Sequence, residues 1–107
     1  MTKRSFGRAV INVDTTINIE GKIYNAMIDN ISMGGMLAHT GRKIAAKEDD
    51  IAVISIPLSL HAASDPILLT GMVTRVEDKG IAFRFIETDV DTLRKLFSLI
   101  YRAKIEC

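Results

Sequence analysis

Six short apolar segments, separated by tight polar turns, fill most of this chain of 107 residues. They lie at residues 9–20, 23–29, 36–39, 51–60, 67–76 and 81–85. Apolar and polar residues alternate in several of them, which is typical of strands that bury one face. Pro57 predicts that the fourth strand lies at an edge or carries a bulge. Short strands joined by tight turns favour a closed antiparallel barrel, because closure removes exposed strand edges.

The end of the chain has a different period. Apolar residues recur at steps of three and four from Val90 to Tyr101, which predicts an amphipathic helix with Thr88 as its N-cap. The predicted fold is therefore mainly β, a six-stranded antiparallel β-barrel with a C-terminal α-helix. We expect one domain over residues 1–107, made of a flexible N-terminal arm at 1–8, the barrel at 9–86 and the helix at 88–104.

Charge and cysteine content exclude several classes of protein. The net charge is +1, so no overall field draws the chain to nucleic acid or to an anionic membrane. The single cysteine, Cys107, excludes an internal disulfide and fits the reducing cytoplasm. No apolar run approaches the roughly 18 residues that a membrane helix needs. His39 and His61 have no cysteine partner nearby, so we expect no metal site, and no set of residues suggests an enzyme.

Arg4 and Arg8 are the first candidate binding residues. They lie with Lys3 in a stretch that has no acidic residue before Asp14. Each guanidinium is a planar fork that matches two phosphate oxygens or the O6 and N7 edge of guanine. In an extended arm, residues four apart point to the same side, so both arginines can face one ligand. A solvated basic tail is the alternative interpretation.

The turn from Asn30 to Gly35 holds the second candidates. Asn30 offers a donor and an acceptor to a base edge, and Ser32 offers a hydroxyl to a phosphate or to the backbone. Gly34 and Gly35 have no side chain, so a ligand can approach their backbone N–H groups closely. An ordinary Asx or Ser turn is the alternative. The coincidence of both motifs around one predicted hairpin favours a site for an anionic, guanine-like ligand.

On these residues the chain resembles the PilZ domain family. The R-x-x-x-R motif of that family matches Arg4 and Arg8, and its [D/N]-x-S-x-x-G motif matches Asn30, Ser32 and Gly35. Residues 80–85, followed by a helix, are similar to the end of the family's sequences. The resemblance implies a PilZ-like barrel of the split-barrel type that binds cyclic di-GMP. The arginines would then clamp guanine and phosphate, and the second motif would hold the other side of a guanine.

The resemblance also implies secondary ligand contacts, which we assign to Lys3, Gly34 and Arg75. Many members of the family carry an aromatic residue near the position of Arg75, whereas this chain has no tryptophan. We expect Arg75 to stack its planar group on a base instead.

The function implied is that of a bacterial second-messenger receptor that signals to a protein partner in trans, in the cytoplasm and without a cofactor. One alternative is a PilZ-like protein-interaction module that does not bind the nucleotide. Another is a small barrel that binds single-stranded nucleic acid, but the near-neutral charge and the 6% aromatic content argue against DNA or RNA as a partner. Pairing of two chains into a homodimer through the exposed part of the helix stays open.

Overall fold

The computed structural model describes residues 9–10, 13–57 and 66–106, with side chains described for 13–57 and 66–101. Within these described residues, seven strands and one helix follow one another. They are β1 (Ala9–Val10), β2 (Asp14–Ile19), β3 (Lys22–Ile31), β4 (Gly35–His39), β5 (Ile51–Ile56), β6 (Ile67–Val76), β7 (Gly80–Ile86) and α1 (Val90–Glu106).

The six strands β2 to β7 form a closed antiparallel barrel. Their order around the barrel is β3-β2-β5-β6-β7-β4, and β3 also pairs with β4, which closes the circle. The two-residue strand β1 adds to β3, where Ala9 pairs with Ile31 and Val10 pairs with Asn30. The prediction of a six-stranded antiparallel barrel with a C-terminal helix is confirmed.

The core of the barrel is aliphatic. In β2 and β5 every second side chain is buried, as the alternating sequence predicts. The largest fully buried side chains are Ile17, Ile28, Ile31, Met36, Ile54, Ile56, Ile67, Leu69, Val73, Ile81 and Leu96. The helix α1 packs against β1 and β6, and it buries Leu96 and Ile100. Burial of this apolar surface is the main force that holds the helix on the barrel.

Three local expectations need correction. The strand β5 pairs with both β2 and β6 and ends before Pro57, so Pro57 removes no ladder hydrogen bond and marks neither an edge nor a bulge. The turn expected from 30 to 35 is shorter, because β3 continues to Ile31 and β4 begins at Gly35. Asp89 rather than Thr88 caps the helix, since its Oδ1 accepts the Thr92 N–H at 2.7 Å.

Two β-bulges shape the outer face of the barrel. The pairing of β3 with β4 passes from Ile28 to Asn30 without a partner for Asp29. The pairing of β6 with β7 passes in the same way from Val73 to Arg75, without a partner for Thr74. A bulge places an extra residue on one strand and changes the direction in which the neighbouring side chains point. Both extra residues are exposed, so the bulges add polar groups to the outer face.

Candidate ligand-binding site

Ser32 organises the turn between β3 and β4. Its Oγ accepts the N–H groups of Gly34 and Gly35, each at 3.2 Å. Its backbone N–H donates to the Gly35 carbonyl oxygen at 2.8 Å. The hydroxyl and both glycine N–H groups therefore have partners inside the turn itself. The serine of the N-x-S-x-x-G motif therefore stabilises the turn itself.

Gly35 lies where two backbones come very close. A Cβ atom at this position would be 2.2 Å from the Phe83 carbonyl oxygen of β7. Beside this close approach, the Phe85 N–H donates a hydrogen bond of 2.8 Å to the Gly34 carbonyl oxygen. A Cβ at Gly34 would meet only Ser32 Oγ, at 4.0 Å. The packing of β4 on β7 thus requires glycine at 35 and leaves Gly34 exposed at the surface.

Asn30 and Arg75 lie in one row across the outer face. Asn30 of β3 pairs with Leu37 of β4, Leu37 pairs with Ala82 of β7, and Ala82 pairs with Arg75 of β6. Leu37 and Ala82 are half-buried, so the row has a shallow apolar middle between its two polar ends. Three strand spacings separate the ends by roughly 14 Å.

Arg75 is tied to a neighbouring acid. Its Nε donates to Glu77 Oε2 at 2.7 Å, and both side chains are largely exposed, at 61% and 44%. An exposed pair of this kind contributes little to stability, so a ligand can compete for the guanidinium at small cost. The terminal nitrogens of Arg75 make no hydrogen bond to any residue that the structure describes.

Arg84 is a cation that sequence reasoning missed. It pairs with Gly35 across β4 and β7, and its guanidinium lies 3.5 Å from Met72 Sδ. The alternation in β7 predicts that Arg84 faces outward, because Phe83 and Phe85 on either side of it face inward. Within the described residues no carboxylate pairs with Arg84.

A cleft of about 480 Å³ opens beside this row. Leu37, Ala38, His39 and Gly80 form part of its lining, together with Asp29 from the bulge of β3 and Glu77, Asp78 and Lys79 from the β6–β7 hairpin. The volume lies in the range of pockets that hold small molecules. Carboxylates from both sides give the cleft an acidic rim around an apolar middle.

The sequence-predicted residues fall into two groups. Asn30, Ser32, Gly34 and Gly35 lie together at the β3–β4 turn, and Arg75 lies on the same outer face at the far end of the row. Lys3, Arg4 and Arg8 are outside the described residues, so their role as ligand contacts stays a prediction. His39 is exposed at the end of β4, and His61 is also outside the described residues. In the part of the chain that the structure describes, no three potential ligands converge on a metal site.

The comparisons with known proteins establish the family. The sequence profile of the PilZ domain matches residues 2–102, which is nearly the whole chain. The chain therefore belongs to the PilZ domain family, which is known for ligand binding and adaptor roles. A comparison with curated proteins gave no match.

Several solved structures share the fold of this chain. The PilZ domain of YcgR from Escherichia coli, solved with c-di-GMP, has a TM-score of 0.80 at 14% identity, and the match covers 97% of this chain and 93% of that one. MotI/DgrA, an inhibitor of motility from Bacillus subtilis, has a TM-score of 0.80 at 17% identity, over 99% of this chain and 53% of its own.

PlzA from Borreliella burgdorferi, solved in complex with c-di-GMP, has a TM-score of 0.68 at 12% identity, over 92% of this chain and 41% of its own. The present chain thus spans about half the length of MotI/DgrA and less than half that of PlzA. At these identities the likeness concerns the fold. Over the described residues, no helix combines the length and the hydropathy that a membrane span requires.

Proposed function

We propose that this PilZ domain is a cytoplasmic receptor for cyclic di-GMP and passes the signal to a protein partner in trans. The principal ligand contacts in this proposal are Arg4, Arg8, Asn30, Ser32 and Gly35, with Lys3, Gly34 and Arg75 as secondary contacts. Both signature motifs of the family are complete in the sequence. Similar folds from YcgR and PlzA have been solved with the same ligand.

One observation carries the proposal. The strand β1 pairs with β3, which contains Asn30 of the second motif. Ala9 pairs with Ile31, and Val10 pairs with Asn30, so β1 runs along the residues that lead into the Ser32 turn. Ala9 follows Arg8 directly in the sequence, and consecutive Cα atoms are about 3.8 Å apart. Since Arg8 directly precedes Ala9 in the sequence, this pairing of β1 supports one composite site of the two motifs over a remote basic tail.

The chemistry of that composite site suits a cyclic dinucleotide. Two guanidinium forks offer paired N–H donors to phosphate oxygens and to the O6 and N7 edge of guanine. At the turn, a ligand can approach the exposed Gly34 without meeting a side chain at that position. Leu37 and Ala82, which are half-buried, offer apolar side chains to a base.

The signal would arise from the arm that carries the arginines. When the ligand bridges Arg4 and Arg8 to the turn, this arm is held on the barrel, and arm, ligand and barrel together form a new surface. Ordering of a segment by a phosphate-bearing ligand is an established type of switch. Such a surface is available to a partner protein only in the bound state.

Calorimetry tests the proposal. Wild-type protein titrated with cyclic di-GMP should release heat with a defined stoichiometry, and Arg8→Ala should weaken binding by at least tenfold, since a charge-assisted bidentate contact is lost. Arg42→Ala is the matched control, because Arg42 follows the opposite end of β4 from the motif turn. Absence of binding by the wild type at high micromolar ligand, or equal loss in both variants, would refute the proposal.

A module that binds only a protein partner is the second candidate. It is favoured by apolar side chains on the outer surface, where Ile51, Val53 and Leu68 of β5 and β6 are about half exposed. Phe97 and Tyr101 of α1 are also exposed and stack on each other with ring centroids 6.0 Å apart. Such surfaces can bind another protein, or a second copy of the chain, with or without a nucleotide. The titration described above distinguishes the two candidates.

A further inference from the structure

The helix α1 carries an apolar stripe that the barrel does not cover. Its inner side buries Leu96 and Ile100, whereas Val90, Phe97 and Tyr101 are exposed, at 67%, 58% and 56%. At 3.6 residues per turn, these three exposed residues lie within about 40° of one another around the helix. The middle of the stripe lies roughly 100° away from the buried side, so the stripe stays open to a second helix.

The two aromatic residues of this stripe hold each other in place. The rings of Phe97 and Tyr101 stack with centroids 6.0 Å apart and an interplanar angle of 14°. Rings that are already packed lose little side-chain freedom when a partner covers them, which favours association. Aromatic residues are also enriched in protein interfaces. The stripe is therefore suited to bind another protein surface, and the charges of the helix indicate which one.

The charges along α1 change sign from one end to the other. Asp91 lies in the first turn and is exposed, whereas the basic residues Arg102 and Lys104 belong to the last two turns. An acidic beginning and a basic end make the helix complementary to a second copy of itself that runs in the opposite direction. The two helix dipoles are then antiparallel as well, which adds to the attraction. A parallel copy would instead place like charges together.

The spacing around Phe97 fits such an antiparallel pair. Asp91 lies six residues before Phe97 and Arg102 lies five residues after it, or about 9 Å and about 7.5 Å along the axis at 1.5 Å per residue. Positions 91 and 102 also share one side of the helix, because eleven residues complete about three turns. A two-fold axis at Phe97 therefore brings Asp91 of each copy opposite Arg102 of the other.

The same axis gives Arg94 a partner. Arg94 is exposed beside the stripe and makes no ion pair with any residue that the structure describes. It lies three residues before Phe97, and Tyr101 lies four residues after it. Arg94 of each copy thus comes level with Tyr101 of the other, where a cation–π contact stabilises the pair. A surface that complements itself in this way meets the requirement of an isologous, two-fold symmetric interface.

We propose that the stripe of Val90, Phe97 and Tyr101 is a dimer interface, in which α1 pairs antiparallel with α1 of a second copy of this chain. Phe97 packs on its own copy at the two-fold axis, and the pairs of Asp91 with Arg102 lie on either side. A stable interface buries about 800 Å² on each partner, and the stripe supplies only part of that area. The dimer therefore forms reversibly as the protein concentration rises. It uses no residue of either signature motif and needs no nucleotide.

Sedimentation equilibrium without nucleotide tests the interface. The wild type should pass from monomer to dimer over a concentration range of about 1–500 µM, as expected for a small interface. Phe97→Ser should weaken the dimer by about tenfold or more, because it removes an aromatic residue at the centre. Leu68→Ser is the matched control, since Leu68 of β6 is exposed to the same extent, 58%, but lies on the barrel. It should leave the dimer unchanged.

Charge reversal tests the antiparallel register. Asp91→Arg and Arg102→Asp should each weaken the dimer by about 3- to 30-fold, because each change places like charges opposite each other at two points. The double variant restores opposite charges and should recover most of the wild-type affinity. Circular dichroism should show the same helix content in every variant.

Three results would overturn the proposal. The first is a wild type that stays monomeric up to about 500 µM, well above the range expected for a small interface. The second is an equal effect of Phe97→Ser and Leu68→Ser on the dimer. The third is a double charge variant that recovers no affinity. None of these results bears on the binding of cyclic di-GMP, so the proposed function is tested separately.

Discussion

The change Gly35→Ala tests whether the motif glycine is needed for the fold itself. A Cβ at this position would lie 2.2 Å from the Phe83 carbonyl oxygen, whereas real Cβ contacts essentially never fall under 3.0 Å. The strands β4 and β7 must therefore separate by about 0.8 Å at this point. The hydrogen bond of 2.8 Å from the Phe85 N–H to the Gly34 carbonyl oxygen lies next to the clash and would stretch to about 3.6 Å. At that length it is no longer a hydrogen bond.

The expected cost follows from these two effects. Overpacking of a tight site costs about 1–3 kcal/mol, and a lost backbone hydrogen bond adds about 1 kcal/mol. We therefore expect Gly35→Ala to lower the free energy of unfolding by about 2–4 kcal/mol. That is a large share of the roughly 5–15 kcal/mol that stabilises a domain of ordinary size. A loss of this size lowers the melting temperature by about 8 °C or more.

Gly34→Ala is the matched control. The new Cβ would lie 4.0 Å from Ser32 Oγ, in ordinary contact, and the backbone at Gly34 does not have a positive φ. Its free energy of unfolding should stay within about 0.5 kcal/mol of the wild type. Urea denaturation followed by circular dichroism measures all three proteins without ligand. Equal midpoints for Gly35→Ala and the wild type, or equal losses in both variants, would refute the close-packing explanation.

Two further predictions concern α1. The hydrogen bond from the Thr92 N–H holds the pKa of Asp89 below its ordinary value, so this group stabilises the fold above pH 4 and loses that effect as the pH falls through the range below it. The melting temperature of the wild type should therefore exceed that of Asp89→Ala at pH 7, and this difference should vanish towards pH 3. A difference in melting temperature that does not change with pH would contradict the capping role. Leu96→Ala should lower the free energy of unfolding in urea by about 2–5 kcal/mol, because Leu96 is fully buried between helix and barrel. The control Lys95→Ala, at an exposed position, should lower it by less than about 0.5 kcal/mol. Equal effects of the two changes would contradict the packing of the helix.

Local patterns in the sequence predicted most of the barrel because each strand carries its own signal. The segment 81–85 alternates strictly, and its buried and exposed residues alternate in the structure as well. The turn at Glu20 and Gly21 has positive φ at both residues, as a two-residue hairpin requires. The prediction from Pro57 was wrong because a proline disrupts a ladder only inside a strand, and β5 ends one residue before it.

The outer face could not be read from the sequence in the same way. The row from Asn30 to Arg75 depends on two bulges, and a bulge changes the register without changing the local pattern of apolar residues. The cleft joins Asp29 to residues 77–80, which are distant in the chain and meet only through the closure of the barrel. Arg84 was predictable as an outward residue, but its position opposite Gly35 follows from the β4–β7 register.

The geometry of the turn changes how binding data on the second motif should be interpreted. Ser32 and Gly35 hold the turn and the β4–β7 contact together in the absence of any ligand. Loss of cyclic di-GMP binding on substitution of either residue is therefore expected whether or not that residue contacts the ligand. Arg75 is exposed and is paired with the exposed Glu77, so a substitution there leaves the packed contacts of the fold intact. A binding loss at Arg75 with unchanged stability can therefore assign a ligand contact.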